Sequence, residues 1–328
     1  DTPTDLIAAQ MGKKGSIMNG GIDGSGGRDL HVGCFHRGVL PPTAPLPIAS
    51  VTMTGMALSS LKLGLNRFHV ACIGEGSSSS GEWWEALNLA ATRGLPITYI
   101  LQNNQIALDT PPVNQSNVEL WADKGVAMGM PSWTIDGSDP ASWHSSVACA
   151  REFSLNGGGP TLIHVETMRG CGHAHHHDDL YLGSQSGTPP GYVDRDLLSY
   201  WEAKDPIPTH RKLMLSFGIS EDEIIEMETE ENELLDNARK EVEAMEWADP
   251  QTITKGVTSL HDADTHIDHL NRITGKTVDV VEESTLQICE TSLNYVQSGG
   301  WTYSRAIQQA MCDIAENYGE STLFMGED

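Results

Sequence analysis

The sequence has 328 residues, a formal net charge of −25 and a pI near 4.7. This acidity excludes a typical nucleic-acid-binding protein, because contacts to a phosphate backbone need clustered Lys and Arg side chains. No stretch approaches the roughly eighteen consecutive apolar residues of a membrane-spanning helix, so we expect no membrane partner.

The cysteines and the chain ends bear on the compartment and on the extent of the protein. The six cysteines include no Cys-x-x-Cys pair, and no signal peptide opens the sequence. We therefore expect a reducing, cytoplasmic compartment. The sequence starts without Met and stops just after an apolar run, Leu323–Met325. We interpret both ends as cuts through structure, which makes the chain a fragment of a longer one.

The first quarter of the sequence predicts two helices. Residues 1–40 are rich in glycine, and only Thr4–Met11 predicts a short helix there. A proline-rich turn, Pro41–Pro47, leads into a second predicted helix at Ile48–Leu63. That helix is rich in Ala, Met and Gly, so we expect it to pack closely against a sheet.

A strand–helix–strand unit comes next and is the most informative part of the sequence. The apolar runs Phe68–Ile73 and Ile97–Leu101 have the length and residue types of buried strands. Between them, Gly81–Arg93 carries apolar residues at helical spacing. In a parallel sheet the loops after both strands emerge at the carboxyl edge, where ligands bind.

The two turns of this unit carry oxygen ligands. Glu75 offers a carboxylate after the first strand, and Asn104 offers an amide oxygen after the second. Both are hard ligands of the kind that Mg²⁺ or Ca²⁺ prefers. Gly76 and Ser77 lead towards a helix, so their backbone N–H groups could face an anion. Either turn alone is typical of an ordinary loop, but together they favour a diphosphate bridged by a divalent cation.

Strands and helices continue to alternate after this unit. The pattern predicts a doubly wound parallel sheet and an α/β fold. The predicted elements are a helix with its exit at Val118–Met130, a strand and turn at Ser132–Gly137, a helix at Asp139–Leu155 and a strand at Pro160–Glu166.

A histidine-rich segment follows the last of these strands. The stretch Arg169–Asp179 contains Gly172-His173 and three further histidines at 175–177. Histidines near carboxylates could ligate zinc, which would make this a non-catalytic, metal-binding scaffold module. Adjacent histidine side chains cannot easily converge on one ion, so we favour a loop at a strand end. The scaffold module stays as an alternative.

The two turns resemble a known cofactor motif. Gly74-Glu75-Gly76 followed by Asn103-Asn104 resembles the thiamine-diphosphate motif, with Glu75 where the motif usually has Asp. The helix sequence Glu85–Ala91 is similar to that of the decarboxylating 2-oxo acid dehydrogenases that feed lipoyl acyltransferases. The Gly-Glu-Gly spelling and the pair Thr110-Pro111 resemble the branched-chain, 2-oxoisovalerate-like members.

The resemblance implies a fold, a reaction and a metal. The fold is the thiamine-diphosphate-binding fold, and the cofactors are thiamine diphosphate and Mg²⁺. The implied metal ligands are Glu75, Asn104 and the carbonyl of Ile106. The implied reaction is oxidative decarboxylation of a 2-oxo acid, with acyl transfer to a lipoyl group. A transketolase-like or acetoin-cleaving thiamine enzyme is a further alternative.

The resemblance also implies further cofactor contacts, besides the three metal ligands. Gly76 and Ser77 would donate N–H groups, with Gly74 ahead of them in the same turn. Leu46 would lie against the aminopyrimidine ring. His173 would face the diphosphate and the reacting carbon, and would act as the catalytic residue by stabilising charge or moving protons.

The rest of the chain predicts a helical segment and the start of a second domain. We predict a diphosphate-side domain at 1–215, an acidic amphipathic helix at 216–248, a linker at 249–298 and the start of a β-type, pyrimidine-side domain at 299–328. A Ser220–Glu223 capping box marks the start of that helix. The resemblance then implies an α portion of a fused α–β chain, with a β-type subunit or domain, a lipoyl domain of an acyltransferase and a homo-oligomer of fused chains as partners. The chain alone is expected to be inactive.

Overall fold

The computed structural model describes residues 2–16, 31–34, 37–184 and 190–252, and single residues between 302 and 316. Contacts divide the chain into two units, Asp1–Val257 and Thr258–Asp328. In the second unit, described residues such as Arg305, Gln308 and Met311 are helical. Residues 253–298 of the predicted linker lie outside the described residues, as does most of the predicted second-domain start. The domain boundaries stay predictions.

A parallel sheet organises the first unit. Its strands are β1 (His69–Gly74), β2 (Ile97–Asn103), β3 (Ser132–Asp136) and β4 (Thr161–Glu166). The order across the sheet is β1-β2-β4-β3, and each neighbouring pair runs parallel. The register aligns Gly74 with Gln102, and Asn103 with Glu166. The carboxyl ends of all four strands therefore meet at one edge.

Helices connect and flank these strands. In chain order they are α1 (Pro3–Gln10), α2 (Ile48–Lys62), α3 (Gly81–Arg93), α4 (Pro112–Gln115), α5 (Asp123–Val126), α6 (Pro140–Phe153), α7 (Asp178–Tyr181), α8 (Arg195–Glu202), α9 (Pro206–Ser216) and α10 (Glu221–Ala244). The capping box holds the start of α10, because Ser220 Oγ accepts from the Glu223 N–H and the Glu223 carboxylate accepts from the Ser220 N–H. Within the described part of the chain, no helix has the length and apolar character needed to cross a bilayer.

Both faces of the sheet are covered by helices. On one face, side chains of β1, β2 and β4 pack with α2 and α3 around the buried Trp83 and Leu87. On the other face, Ile100, Ile163 and Val165 pack against α6. Burial of this apolar surface is the main stabilising contribution to the fold. The predicted α/β class with a parallel sheet is confirmed.

Most predicted elements are confirmed within one or two residues at each end, and the helix Gly81–Arg93 is confirmed at both ends. Two predicted helices are longer than the observed ones. The acidic helix predicted at 216–248 is α10, Glu221–Ala244, and the segment Val118–Met130 contains only α5, flanked by turns. Gly125 lies inside α5 and packs closely on β4, where a Cβ atom would lie 2.8 Å from Leu162 Cβ. Gly129 adopts a φ of +76°, which is left-handed and favours glycine at the end of a helical run. The helix therefore ends before Gly129, and turns occupy the residues on either side of α5.

Candidate functional site at the carboxyl edge of the sheet

The turns that leave β2, β3 and β4 are tied to one another by backbone hydrogen bonds. The Thr167 N–H donates to the Asn103 carbonyl at 3.0 Å, and the Gly137 N–H donates to the Glu166 carbonyl at 2.7 Å. The Arg169 N–H donates to the Asn104 carbonyl at 3.0 Å. These bonds fix the path of the chain beyond the sheet, which places polar residues from three strands along one edge.

Glu75 is a buried carboxylate with an unused oxygen. Its residue is 2 % exposed. One oxygen, Oε2, accepts from the Asn104 N–H at 3.4 Å, so the two predicted ligands are neighbours. The other, Oε1, is buried and has no hydrogen-bond partner among the described residues. An ionised carboxylate is costly to bury without compensation. A bound cation would supply that compensation, so this oxygen fits a metal ligand.

The Asn104 turn has an unusual backbone. Asn104 Oδ1 accepts from the Ile106 N–H at 3.2 Å, which holds the amide oxygen inside the turn. Gln105 has a φ of 72° and Leu108 a φ of 48°, both in the left-handed region that favours glycine. Such conformations persist only where the surroundings enforce them. The turn that carries Asn104 and Ile106 is therefore a constrained one.

Gly76 lies where the two turns approach each other closely. A Cβ atom at this position would lie 2.8 Å from Ala107 Cβ and 3.6 Å from Gln115 Oε1. Gly76–Ser79 forms a short 3-10 turn, and the Ser78 hydroxyl donates to the Glu75 carbonyl at 2.6 Å. The first N–H groups of such a turn have no partner within it. The predicted anion donors, Gly76 and Ser77, lie at this place.

Glu166 braces the Asn104 turn from the end of β4. Its carboxylate accepts from Gln105 Nε2 at 2.6 Å and from Asn103 Nδ2 at 3.2 Å. The buried His164 lies behind it, with Nε2 3.1 Å from Glu166 Oε1. Burial raises the pKa of Glu166, but the contacts with His164, Gln105 and Asn103 outweigh it and hold the pKa below its usual value. The carboxylate form is therefore the stable one in the folded protein.

His173 lies on the same side of the molecule but is exposed. The His173 Nδ1 atom is 3.5 Å from Arg169 Nη1. The other terminal nitrogen of that guanidinium group, Nη2, donates to the Leu108 carbonyl at 2.8 Å. Gly172 is needed beside it, because a Cβ there would lie 2.5 Å from the His177 carbonyl carbon. No hydrogen bond between described residues joins His173 to Glu75 or Asn104. Arg169 is the link between this segment and the turn after Asn104.

Leu46 precedes α2 and is 49 % exposed, so its side chain is free to contact a ligand. Its predicted position against a cofactor ring stays a prediction.

The histidine-rich segment contains no recognisable zinc site in the part of the chain that the structure describes. The described residues contain no group of three or more His, Cys, Asp or Glu side chains that could hold a metal ion. His176 and His177 instead stack edge to face, with ring centroids 4.1 Å apart. The His175 side chain lies outside the described atoms. The zinc-binding alternative gains no support from this geometry.

Sequence patterns had missed Glu166 and Arg169 as parts of the site. The sequence places Glu166 only at the end of a strand, because its position opposite Asn103 depends on strand pairing. Arg169 lies in the histidine-rich segment, where no local pattern indicates a role for it. The available signal was the clustering of polar residues just after a buried strand, which is where parallel sheets place ligand-binding groups.

Comparisons of this chain with a family model and with individual proteins agree on one family. A family model described as "Dehydrogenase E1 component" matches residues 2–251. The pyruvate dehydrogenase E1 component subunit alpha of Staphylococcus aureus strain Mu50 is 31 % identical over 228 residues, covering 69 % of this chain and 58 % of the relative. The protein of the same description from Bacillus subtilis strain 168 is 32 % identical over 222 residues, covering 67 % and 56 %. The chain thus spans less than two thirds of these relatives.

A solved structure from Mycobacterium smegmatis, provisionally described as a thiamin diphosphate-dependent enzyme, aligns with 36 % of this chain and 21 % of its own at 24 % identity. Its TM-score is 0.29, too low to carry an argument. The relatives are described as pyruvate dehydrogenases, so the branched-chain resemblance stays a prediction. Because the family model covers most of the sequence, the chain belongs to the dehydrogenase E1 component family, which confirms the predicted resemblance to 2-oxo acid dehydrogenases.

Proposed function

We propose that this chain forms the diphosphate-binding side of a thiamine-diphosphate- and Mg²⁺-dependent 2-oxo acid dehydrogenase. The reaction is oxidative decarboxylation of a 2-oxo acid, followed by acyl transfer to a lipoyl group on a partner acyltransferase. Family membership supports the reaction class. The single observation that carries the site is the buried Glu75 Oε1, which has no partner among the described residues and lies in a turn bonded to Asn104.

The residues present fit a bound magnesium diphosphate. Glu75, the Asn104 amide oxygen and the Ile106 carbonyl are hard oxygen donors, which suits Mg²⁺. Gly76 and Ser77 would donate N–H groups to diphosphate oxygens, and the absence of a Cβ at Gly76 keeps the two turns close together. When bound, thiamine diphosphate supplies the electron sink for decarboxylation. Holding it by its diphosphate leaves the ring free to meet a second protein surface.

His173 is proposed to act at the acyl-transfer step. Arg169 lies beside its Nδ1, so the guanidinium N–H favours the tautomer in which Nδ1 accepts and Nε2 carries the proton. In that form Nε2 can donate a proton to a developing negative charge. Exposure of the side chain is compatible with a role towards a substrate arm that arrives from outside.

The proposed partners are a β-type subunit or domain, a lipoyl domain and a second copy of the assembled chains. Relatives described as E1 subunit alpha support the first of these, because a subunit of that description has others beside it. We also propose a cytoplasmic location. The chain alone is expected to bind cofactor without turnover.

The test is calorimetric titration of Mg²⁺ and thiamine diphosphate into the 328-residue chain, alone and with a β-type partner. Glu75→Gln removes the anionic ligand while keeping the shape. We expect it to weaken Mg²⁺-dependent cofactor binding by about 100-fold or more, at the top of the range for changes around a metal. The matched control is Glu82→Gln, an exposed carboxylate in the first turn of α3. It should bind within about two-fold of the wild type.

Two outcomes would contradict the proposal. One is a wild-type chain that binds no cofactor in either setting. The other is a Glu75→Gln variant that binds as tightly as the Glu82→Gln control. With a β-type partner and a lipoyl domain present, reduction of the lipoyl group by a series of 2-oxo acids then identifies the substrate.

A further inference from the structure

Lys124 is a buried lysine directly behind the Glu75 turn. It belongs to α5 and is 5 % exposed. Its Nζ donates to Ser78 Oγ at 2.6 Å and lies 3.5 Å from the Ser78 carbonyl. A lysine is rarely buried to this extent unless it is paired. The groups that surround the buried ammonium group of Lys124 therefore decide what this lysine does in the fold.

The surroundings of Lys124 are aromatic rather than acidic. Its Nζ lies 4.1 Å from the ring centroid of Trp121, 5.7 Å from that of Trp84 and 5.9 Å from that of Trp83. Among the described residues, no ion pair joins Lys124 to a carboxylate. Burial lowers its pKa to about 8. The faces of aromatic rings offset only part of the free-energy cost of burying an ammonium group. Lys124 therefore contributes little to the stability of the folded protein.

The hydrogen bonds of Lys124 lead to Glu75. Ser78 Oγ accepts from Lys124 and donates to the Glu75 carbonyl at 2.6 Å. The Ser78 N–H donates to the same carbonyl at 3.1 Å. Both bonds hold the backbone of Glu75, and the direction of its carboxylate follows from that backbone. Lys124 thus orients the Ser78 hydroxyl, and that hydroxyl holds the backbone of Glu75.

We propose that Lys124 is a positioning residue for the Glu75 turn, acting through Ser78 to hold the carboxylate ready for a cation. This inference rests on the proposed function of Glu75. Residues that orient a metal ligand without touching the metal commonly change its affinity by about 10–100-fold. The sequence pattern does not indicate this role, because a lone lysine in a predicted helix is typical of an exposed face.

Lys13 provides a matched control within the same chain. It is also buried, at 2 % exposure, and its Nζ donates to the carbonyls of Glu243 and Met245. It also lies over an aromatic ring, 3.8 Å from the centroid of Trp247. Its partners belong to the end of α10 and the residues after it. A Lys13→Met variant therefore removes a buried, aromatic-bound ammonium group without touching the Glu75 turn.

The first test measures Mg²⁺ affinity at saturating thiamine diphosphate. Lys124→Met and Ser78→Ala should each weaken Mg²⁺ binding by about 10-fold, and Lys13→Met should stay within about two-fold. Because Lys124 and Ser78 act through the same hydrogen bonds, the double variant should bind Mg²⁺ no more weakly than the weaker-binding of the two single variants. Equal affinities for Lys124→Met and Lys13→Met, or losses that multiply in the double variant, would overturn the proposal.

The second test needs no cofactor and separates this inference from the proposed function. The exchange rate of the Ser78 amide hydrogen reports the opening of the Glu75 turn, because that N–H donates to the Glu75 carbonyl. We expect exchange at least about 10-fold faster in Lys124→Met than in Lys13→Met. Unchanged exchange overturns the inference even if cofactor binds. Faster exchange in a chain that binds no cofactor leaves the positioning intact and removes the proposed function. If Lys124→Met does not fold, Ser78→Ala alone decides both tests by the same criteria.

Discussion

The Glu75 and Asn104 turns differ from the segment that carries His173, although all three follow strands of one sheet. The first two are bonded directly to each other, and Glu75 is buried. His173 is exposed and reaches the Asn104 side only through Arg169. The end of the site that is proposed to hold the metal is therefore built from turns that are bonded to each other within this chain. The histidine end is joined to those turns through Arg169, by its backbone N–H and its guanidinium group.

The physical reason lies in how each segment is braced. Lys124 with Ser78 holds the turn after β1, and Glu166 holds the turn after β2. Both braces come from buried or half-buried side chains that cannot move far without breaking packing. The His173 segment is held by the Gly172 N–H, which donates to the Asp178 carboxylate at 2.8 Å, and by the Tyr181 hydroxyl, which donates to the Arg169 carbonyl at 2.8 Å. The His173 side chain itself is exposed and is not held by these bonds. Binding should therefore be insensitive to changes in that segment, whereas turnover should be sensitive.

The largest effect is expected from Gly76→Ala. The new Cβ would lie 2.8 Å from Ala107 Cβ, so the two turns must move apart. Overpacking of this kind costs about 1–3 kcal/mol in the free energy of unfolding, and we expect the upper end because the Ala107 Cβ atom is fixed to the backbone and cannot rotate away. Mg²⁺-dependent cofactor binding should be lost in calorimetry.

Gly81→Ala is the matched control for that change. Gly81 begins α3, and a Cβ there would meet nothing within 4 Å. Alanine should leave stability unchanged or raise it by up to about 1 kcal/mol, because it lowers the entropy of the unfolded chain. If urea unfolding shows the two variants to be equally stable, the close approach of the two turns is not what the fold depends on.

The next largest effect is expected in how the free energy of unfolding depends on pH, and it arises from Lys124 behind the Glu75 turn. Burial lowers the pKa of Lys124 from 10.5 in the unfolded chain to about 8 in the folded one. Between these values the unfolded chain binds more protons, so the free energy of unfolding should rise as the pH increases from about 8 to about 10.5. Below pH 8 both states are protonated and this contribution is flat. We expect a rise of at most about 3.5 kcal/mol, because each pH unit between the two pKa values contributes up to about 1.4 kcal/mol.

Lys124→Met removes this rise while keeping a side chain of similar length. Urea unfolding at several pH values between 7 and 10.5 compares its slope with that of the wild type and of Lys13→Met. A wild-type curve as flat as that of Lys124→Met would show that Lys124 is solvated, and the brace behind the Glu75 turn would lose its physical basis.

Sequence patterns predicted the two turns well and the braces poorly. Glu75 and Asn104 follow strands whose apolar runs are readable, and parallel strands bring such residues to one edge. Glu166 and Lys124 act across long sequence distances, since Lys124 contacts Ser78 from 46 residues away. No local pattern marks a lysine that enters a cluster of tryptophans. The prediction of a helix and its exit at Val118–Met130 was too long, since the structure has only the four residues of α5 as helix there.

The smallest effect on stability, and the sharpest test of the comparison, is expected from Arg169→Gln. The guanidinium donates to the carbonyls of Cys171 and Leu108 and lies beside His173. Its loss should cost less than about 1 kcal/mol in the free energy of unfolding, since those partners are exposed or half-buried and can bind water instead. Mg²⁺ affinity should stay within about two-fold of the wild type, because neither Glu75 nor Asn104 loses a side-chain partner.

Turnover should respond differently. In the assembled enzyme, loss of the group that orients His173 should lower kcat for lipoyl reduction by about 10-fold or more, as expected when a proton-transfer group loses its orientation. His173→Gln in the same assay gives the limit set by the histidine itself, and Arg169→Gln should not exceed it. If Arg169→Gln instead weakens Mg²⁺ binding as strongly as Glu75→Gln does, the histidine segment and the two turns form one cooperative unit. The contrast between a prebuilt metal end and a separately held histidine end would then be wrong.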